Sequence, residues 1–172
     1  KDGSKGSLTI GGTVSPAGGN FEEPVTQGTL KVVGAFLGLS RVRSDARRFP
    51  AIDPLESWSK YTSIIEKERM EKLRKILRQG SDVSQMMKVV GEEGTSIDDF
   101  TTYLKGEFLD AVYLQQNAFR DVDAATPAER QRDMFDVVET AMLAEYPFAD
   151  KDAGRKFFQN LTQVFIDWNM TA

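Results

Sequence analysis

After Leu55 the chain carries apolar residues at helical spacing almost without interruption, and this pattern restricts its fold more than any other feature. Residues three and four apart share one face of a helix, so the pattern predicts amphipathic helices packed on one another. The region before Leu55 differs, because it holds nine of the fourteen glycines and four of the six prolines. We therefore expect a mainly α protein, in which a helical bundle follows a short α/β segment.

The helical region divides into about five predicted helices. The apolar positions of the first helix begin with Trp58, Tyr61 and Ile65 and continue to Leu77. Those of the other four helices extend from Val83 to Val90, from Phe100 to Val112, from Met134 to Met142 and from Phe158 to Trp168. Gly80 is expected to end the first helix and Gly91 the second, since glycine favours helix ends. Ser96 with Asp99 resembles a capping box, and residues 126–129 (T-P-A-E) predict an N-cap threonine followed by proline at the first helical position.

The region before Leu55 is expected to be the tail of a larger α/β domain. A strand is predicted over residues 6–14, where apolar side chains alternate with threonine and glycine. A helix is predicted from Pro24, with Leu30, Val33 and Leu37 on one face. One strand cannot form a sheet by itself, so this region requires more of an α/β domain than the sequence contains.

The residue types present exclude several kinds of chemistry. The chain has no cysteine and no histidine, which rules out disulfides, thiolate nucleophiles, Cys/His zinc sites and histidine bases. Its net charge of −4 argues against nucleic acid as the main partner, despite a short basic run over residues 41–48. No apolar run approaches the roughly 20 residues that a membrane-spanning helix needs. The first residue is Lys1 rather than Met, which suggests a processed or shortened chain.

Three segments are unusual enough to suggest a binding function. Residues 15–27 place a glycine pair and two acids before a helix, an arrangement that can offer backbone N–H groups to an anion. Residues 49–54 set Phe49 before Pro50, and this restricted backbone suits a stacking platform for a flat ligand. Residues 113–119 hold three side-chain amides between two aromatics, which suits contacts to the edge and face of a base. On the residues alone, a structural role is the favoured interpretation of each segment: a strand-to-helix connection, a core aromatic and a polar helix end.

The order of these segments carries a resemblance to one family. The sequence contains G-S-L-T-I at 6–10, S-P-A-G-G-N-F-E-E-P-V-T-Q at 15–27, R-R-F-P-A-I-D-P at 47–54 and Y-L-Q-Q-N-A-F at 113–119. This series resembles the C-terminal portion of the catalytic A subunit of V/A-type rotary ATPases. The second and fourth motifs together are specific, since the related B subunits and the flagellar and secretion ATPases share only the aromatic-Pro-Ala-Ile element. The segment before the platform is more basic and more polar than is common in that family.

The resemblance implies a domain division and a site. Residues 1–53 would be the C-terminal tail of a RecA-like nucleotide-binding domain, and residues 54–172 the helical C-terminal domain. Phe49, followed by Pro50, would match the aromatic that stacks on adenine. The segment that closes the other side of the base pocket would be matched by Tyr113, Gln115, Gln116 and Phe119.

The same resemblance implies a function for the parent subunit. That subunit would bind ATP or ADP with Mg²⁺, and would hydrolyse or make ATP in a reaction coupled to transmembrane movement of H⁺ or Na⁺. It would alternate with B subunits in an A3B3 ring, contact the central rotor stalk, and lie in the cytoplasm, reaching the membrane only through the embedded sector.

The phosphate-binding loop of such enzymes is not found in this sequence. The 172 residues contain no G-x-x-x-x-G-K-[ST] motif, so this chain alone is expected to contain no catalytic or metal-binding residue, to hold no nucleotide and to be inactive. The alternative interpretation is a stand-alone helical interaction module without nucleotide chemistry.

Overall fold

The computed structural model describes residue 3 and residues 5–171, so residues 1, 2 and 4 of the predicted tail lie outside the described part. The helices are α1 (Pro24–Val32), α2 (Arg41–Asp45), α3 (Lys67–Val90), α4 (Ile97–Leu109), α5 (Asp121–Ala124), α6 (Ala128–Leu143) and α7 (Lys151–Thr171), with a 3-10 turn at Ala17–Gly19 and a π-helical turn at Asp110–Leu114. Strands β1 (Ala35–Phe36) and β2 (Trp58–Ser59) pair antiparallel. The prediction of a mainly α fold is confirmed. Among the described residues, no helix combines the length and apolar composition needed to cross a bilayer.

The predicted strand over residues 6–14 is wrong, because residues 5–14 form no regular secondary structure. Leu8 and Ile10 are 86% and 85% exposed. Strand residues gain their stability from pairing with a neighbouring strand and from burying one face. In the described part of the chain this segment does neither, so its β-branched composition is insufficient to form a strand.

α1 begins at Pro24 as predicted. Proline suits the first helical position because an N–H group there would have no partner within the helix. The helix ends at Val32, so Leu37 of the predicted apolar face lies beyond it and is exposed. The chain then forms the two-stranded sheet instead. In that sheet Phe36 lies opposite Trp58, with ring centroids 6.5 Å apart.

α3 is a single helix of 24 residues, where two shorter helices were predicted. Gly80 lies buried inside the helix, because a Cβ at this position would lie 3.1 Å from the carbonyl oxygen of Thr102 and 3.6 Å from the Cα of Gly106 on α4. Glycine therefore permits a close crossing of α3 and α4. Gly91 follows the helix with a φ of 77°, as predicted for a helix end. Trp58, predicted for the first turn of this helix, lies in β2 instead.

The predicted caps are confirmed at one helix and displaced at another. The Ser96 hydroxyl oxygen accepts the N–H of Asp99 at 3.1 Å and the hydroxyl donates to the Asp99 carboxylate at 2.7 Å. At α6, Pro127 is the N-cap residue, and the Thr126 hydroxyl donates to the Val122 carbonyl at 2.7 Å instead of capping the helix.

The core lies between α3, α4, α6 and α7. Its buried side chains include Leu73, Phe100, Leu104, Phe108, Val138, Met142, Phe158 and Phe165.

Candidate functional site

A cleft of about 780 Å³ opens where the segment before β2 meets the end of α4. Five of the six predicted site residues line it, namely Phe49, Pro50, Gln115, Gln116 and Phe119. The C-terminal half of α7 contributes Phe165, Ile166 and Asn169 to the same wall. This volume falls in the range typical of small-molecule sites. The fold therefore brings together two segments that lie far apart in sequence, together with a third that the sequence did not indicate.

The Phe49 side chain is 52% exposed at the cleft, and its peptide bond to Pro50 is cis. Its carbonyl oxygen accepts the backbone N–H of Gln116 at 2.8 Å. This hydrogen bond joins residues 49–54, the platform segment, directly to residues 113–119, the amide-rich segment. Phe49 is therefore exposed enough for a ligand in the cleft to contact it.

Phe119 is 98% exposed on a short loop that a chain of hydrogen bonds holds. Its N–H donates to the Asn117 side-chain oxygen at 3.0 Å, and the Asn117 N–H donates to the Asp123 carboxylate at 2.9 Å. Phe119 lines the same cleft as Phe49. The loop therefore presents a second apolar surface whose backbone is fixed by Asp123.

Tyr113 lies apart from the main cleft. It lines an adjoining cavity of about 400 Å³, which shares Gln115 and Gln116 with the cleft. Its ring packs edge-to-face on Phe135, with centroids 5.8 Å apart, and burial raises the pKa of its phenol. The tyrosine thus packs in the helical bundle, behind the amide-rich segment.

An ion network fixes the basic segment against the bundle. The Asp110 side chain is only 3% exposed, and its two carboxylate oxygens lie 2.6 Å from Arg43 Nη1 and 2.8 Å from Arg48 Nη1. Arg48 also donates from Nη2 to Glu107 at 2.8 Å. Its pKa is raised by the hydrogen bond and charge of Glu107, followed by Asp110, against a lowering effect of burial. Two arginines thereby compensate a carboxylate whose burial would otherwise be costly.

Asp110 holds the amide-rich segment as well. Its backbone carbonyl accepts the Gln115 N–H at 2.9 Å, and its carboxylate accepts Gln115 Nε2 at 3.3 Å. Sequence reasoning missed Asp110 as a site residue. The available signal was an acid standing between Leu109 and Ala111 in an otherwise apolar helical stretch, since acids are rarely buried without a partner.

The end of α7 is tied to the neighbouring elements by Asn169. Its side-chain oxygen accepts from Arg130 Nη2 at 2.7 Å, and its Nδ2 lies 3.4 Å from the Asp123 carboxylate. Because Asp123 also holds the Phe119 loop, this loop, α6 and α7 meet at one point. No pattern within α7 indicated this contact, which depends on the packing of the bundle.

Two family descriptions match the chain. The C-terminal domain of V and A type ATP synthase matches residues 67–150, and the nucleotide-binding domain of the ATP synthase alpha/beta family matches residues 1–59. By fold, the chain is similar to an ATP synthase subunit, NeqB from Nanoarcheaum equitans. The TM-score is 0.59 at 18% identity, over 73% of this chain and 32% of that one.

Curated relatives agree with these matches. The V-type ATP synthase alpha chain of Treponema denticola is 62% identical over 98% of this chain, and alpha chain 1 of Treponema pallidum is 59% identical over 100% of it. The corresponding alpha chain of Borreliella burgdorferi is 57% identical over 99%. This chain spans 28%, 29% and 30% of the lengths of those three proteins. The chain therefore belongs to the family of V/A-type ATP synthase A subunits, also called alpha chains, and matches their C-terminal region.

Proposed function

We propose that this chain supplies the adenine-binding side and the helical C-terminal domain of a catalytic subunit that hydrolyses or synthesises ATP. In this proposal residues 1–53 complete a RecA-like nucleotide-binding domain and residues 54–172 form the helical domain. The parent subunit works in the cytoplasmic head of a rotary machine, in an A3B3 ring with B subunits around a rotor stalk, and couples ATP to H⁺ or Na⁺ transport.

One observation supports this assignment beyond family membership. The Gln116 N–H donates to the Phe49 carbonyl at 2.8 Å, which sets an exposed aromatic face and an amide-rich segment on one cleft. A purine offers a flat face for stacking and a polar edge for amide hydrogen bonds. In this proposal the base stacks on Phe49, the amides of Gln115 and Gln116 contact its edge, and Phe119 covers its other side.

Phosphate and metal chemistry are assigned to other parts of the parent subunit. The sequence contains no phosphate-binding loop of the G-x-x-x-x-G-K-[ST] type. Within residue 3 and residues 5–171, no three acidic side chains are grouped so that they could hold a metal ion. These residues therefore do not fit a Mg²⁺ site, and the ligands of the ion would lie elsewhere in the parent subunit.

The experiment is the Phe49→Ala substitution in the full-length parent subunit. Stacking of a base on an aromatic contributes about 1–3 kcal/mol in single-stranded nucleic-acid sites, and we use this value by analogy. We therefore expect ATP affinity to fall by roughly 5- to 150-fold, at about 1.4 kcal/mol per tenfold. ADP affinity should fall by the same factor, because the base contact is independent of the phosphates. Phe49→Tyr should bind almost normally, since it keeps the ring face.

Phe157→Ala is the matched control, because Phe157 is a 38% exposed aromatic that packs on Tyr146 and Phe148 instead of lining the cleft. It should leave ATP affinity unchanged. Thermal unfolding of each variant separates a binding effect from loss of stability, since a structural phenylalanine would lower the melting temperature. A folded Phe49→Ala subunit that binds ATP with wild-type affinity would reject the stacking role.

A further inference from the structure

The side-chain amide of Gln115 is held at one end only. Its Nε2 donates to Oδ2 of Asp110 at 3.3 Å, and its backbone N–H donates to the Asp110 carbonyl at 2.9 Å. An ionised carboxylate only accepts hydrogen bonds, so it fixes which end of the amide faces it. Arg43 and Arg48, at 2.6 and 2.8 Å, pair with this carboxylate in its ionised form.

The other end of the amide is therefore an acceptor. Gln115 Oε1 receives no hydrogen bond from any residue in the described part of the chain, and the side chain lines the cleft. Purines differ at the position that such an oxygen would contact. Adenine carries an amino group at its 6-position, which donates, whereas guanine and hypoxanthine carry a carbonyl oxygen there, which accepts. Two facing acceptors leave both desolvated oxygens without a proton to share.

Gln116 provides the internal comparison. Its side chain is exposed and makes no hydrogen bond to the described residues, so its amide can turn either end toward a base. A freely rotating amide satisfies a donor or an acceptor equally well. It therefore contributes little discrimination, although it lies next to Gln115 in the same cleft.

We infer that Asp110 is a positioning residue that makes the cleft selective for 6-aminopurines, by holding the Gln115 amide with its oxygen available to the base. This inference rests on the proposed function, because it takes the cleft as the base pocket. The acid acts through Gln115 and does not contact the nucleotide. Arg43 and Arg48 serve the same purpose indirectly, since both form ion pairs with the buried Asp110 carboxylate.

The test measures binding of three nucleoside triphosphates to the full-length subunit in its assembled complex. ATP carries a donor at the 6-position, purine riboside triphosphate carries only hydrogen, and inosine triphosphate carries an acceptor. The wild type should bind them in that order of affinity. Gln115→Met keeps the length of the side chain but removes both amide ends. The ratio of ATP affinity to purine riboside triphosphate affinity should then fall by about 2- to 12-fold, which corresponds to one ordinary hydrogen bond.

Asp110→Leu should release the amide, so that Gln115 turns its NH₂ group toward inosine triphosphate and the ATP-to-inosine ratio falls. Glu107→Gln is the matched control, because Glu107 pairs with Arg48 in the same network but does not contact Gln115. It should lower stability at most and leave the ratio unchanged. Gln116→Met should lower the affinities for ATP and inosine triphosphate by one common factor, so that the ATP-to-inosine ratio stays unchanged. If Asp110→Leu fails to fold, the Gln115→Met ratios decide the question.

Unchanged ratios in Gln115→Met, or in a folded Asp110→Leu subunit, would overturn the inference. If Phe49→Ala still weakens all three nucleotides in that case, the base pocket stands and only the selectivity mechanism fails. If neither Phe49→Ala nor Gln115→Met changes the binding of any nucleotide, the proposed function itself is wrong.

Discussion

Replacing Gly80 and Gly106 by alanine in separate variants should have different effects on the free energy of unfolding. Both glycines lie inside helices, where alanine is favoured over glycine by about 1 kcal/mol. The space around them differs. A Cβ on Gly80 would lie 3.1 Å from the Thr102 carbonyl oxygen, whereas a Cβ on Gly106 would meet its nearest atoms at 3.7 and 3.9 Å. The first distance requires the backbone to move, while the second is ordinary contact.

The expected magnitudes follow from these distances. Gly106→Ala should keep most of the helix-propensity gain and raise the melting temperature by about 2–4 °C, as expected for 1 kcal/mol in a chain of this size. Gly80→Ala should lose that gain, since overpacking a tight contact costs about 1–3 kcal/mol and the contacted oxygen belongs to the backbone. Gly28→Ala on α1 measures the propensity gain alone, because nothing lies within 4 Å of its Cβ position.

The assay is urea and thermal unfolding of the wild type and the three variants, followed by far-ultraviolet circular dichroism. The difference between Gly106→Ala and Gly80→Ala should be about 1–3 kcal/mol. The close crossing of α3 and α4 would be refuted if Gly80→Ala were as stable as Gly106→Ala while Gly28→Ala showed the normal gain. Such a result would favour a helix end near residue 80, as the local sequence suggests.

Two other results are expected. The 172-residue chain alone should release no phosphate from ATP, since it contains no phosphate-binding loop, and steady turnover by a preparation free of contaminating enzyme would contradict this. Burial raises the pKa of Tyr113 above its ordinary value of 10.0, so the tyrosine contributes stability that is fully present below about pH 10 and is lost as the pH rises through the folded pKa. Tyr113→Phe should therefore move the onset of alkaline unfolding to higher pH, whereas Tyr61→Phe, at a 74% exposed position, should leave it in place. An unchanged onset in Tyr113→Phe would show that its ionisation is not coupled to unfolding.

Features that depend only on residues close together in the sequence were predictable. The start of α1 at Pro24 and the Ser96 cap of α4 involve only residues within one helical turn, and both are confirmed. Gly80 shows where such local reasoning fails. Its propensity to end a helix is overridden by the crossing with α4, because a larger residue would prevent the two backbones from approaching. The strand expected over residues 6–14 fails for a related reason, since strands require a partner that local sequence does not supply.

The candidate site was predictable only in part. Short motifs indicated Phe49 and the amide-rich segment, and these do meet at one cleft. Residue types could not indicate that Asn169 of α7 closes the same cleft, because that contact depends on how the helices pack. The placement of Tyr113 behind the cleft follows from the same packing. Sequence spacing placed it beside Gln115, but its ring turns onto Phe135 in the bundle.

The basic run over residues 41–48 acquires a structural meaning in the fold. From the sequence it is a short concentration of charge in an acidic chain, and it is more basic than the segment with which the family usually precedes the platform. In the structure two of its arginines, Arg43 and Arg48, neutralise the buried Asp110 across more than sixty residues of sequence. Removing either partner of such a pair leaves an uncompensated charge, so each arginine matters more than a surface ion pair would. The same acid holds Gln115. The basic composition of residues 41–48 is thereby linked to the orientation of the Gln115 side-chain amide in the cleft.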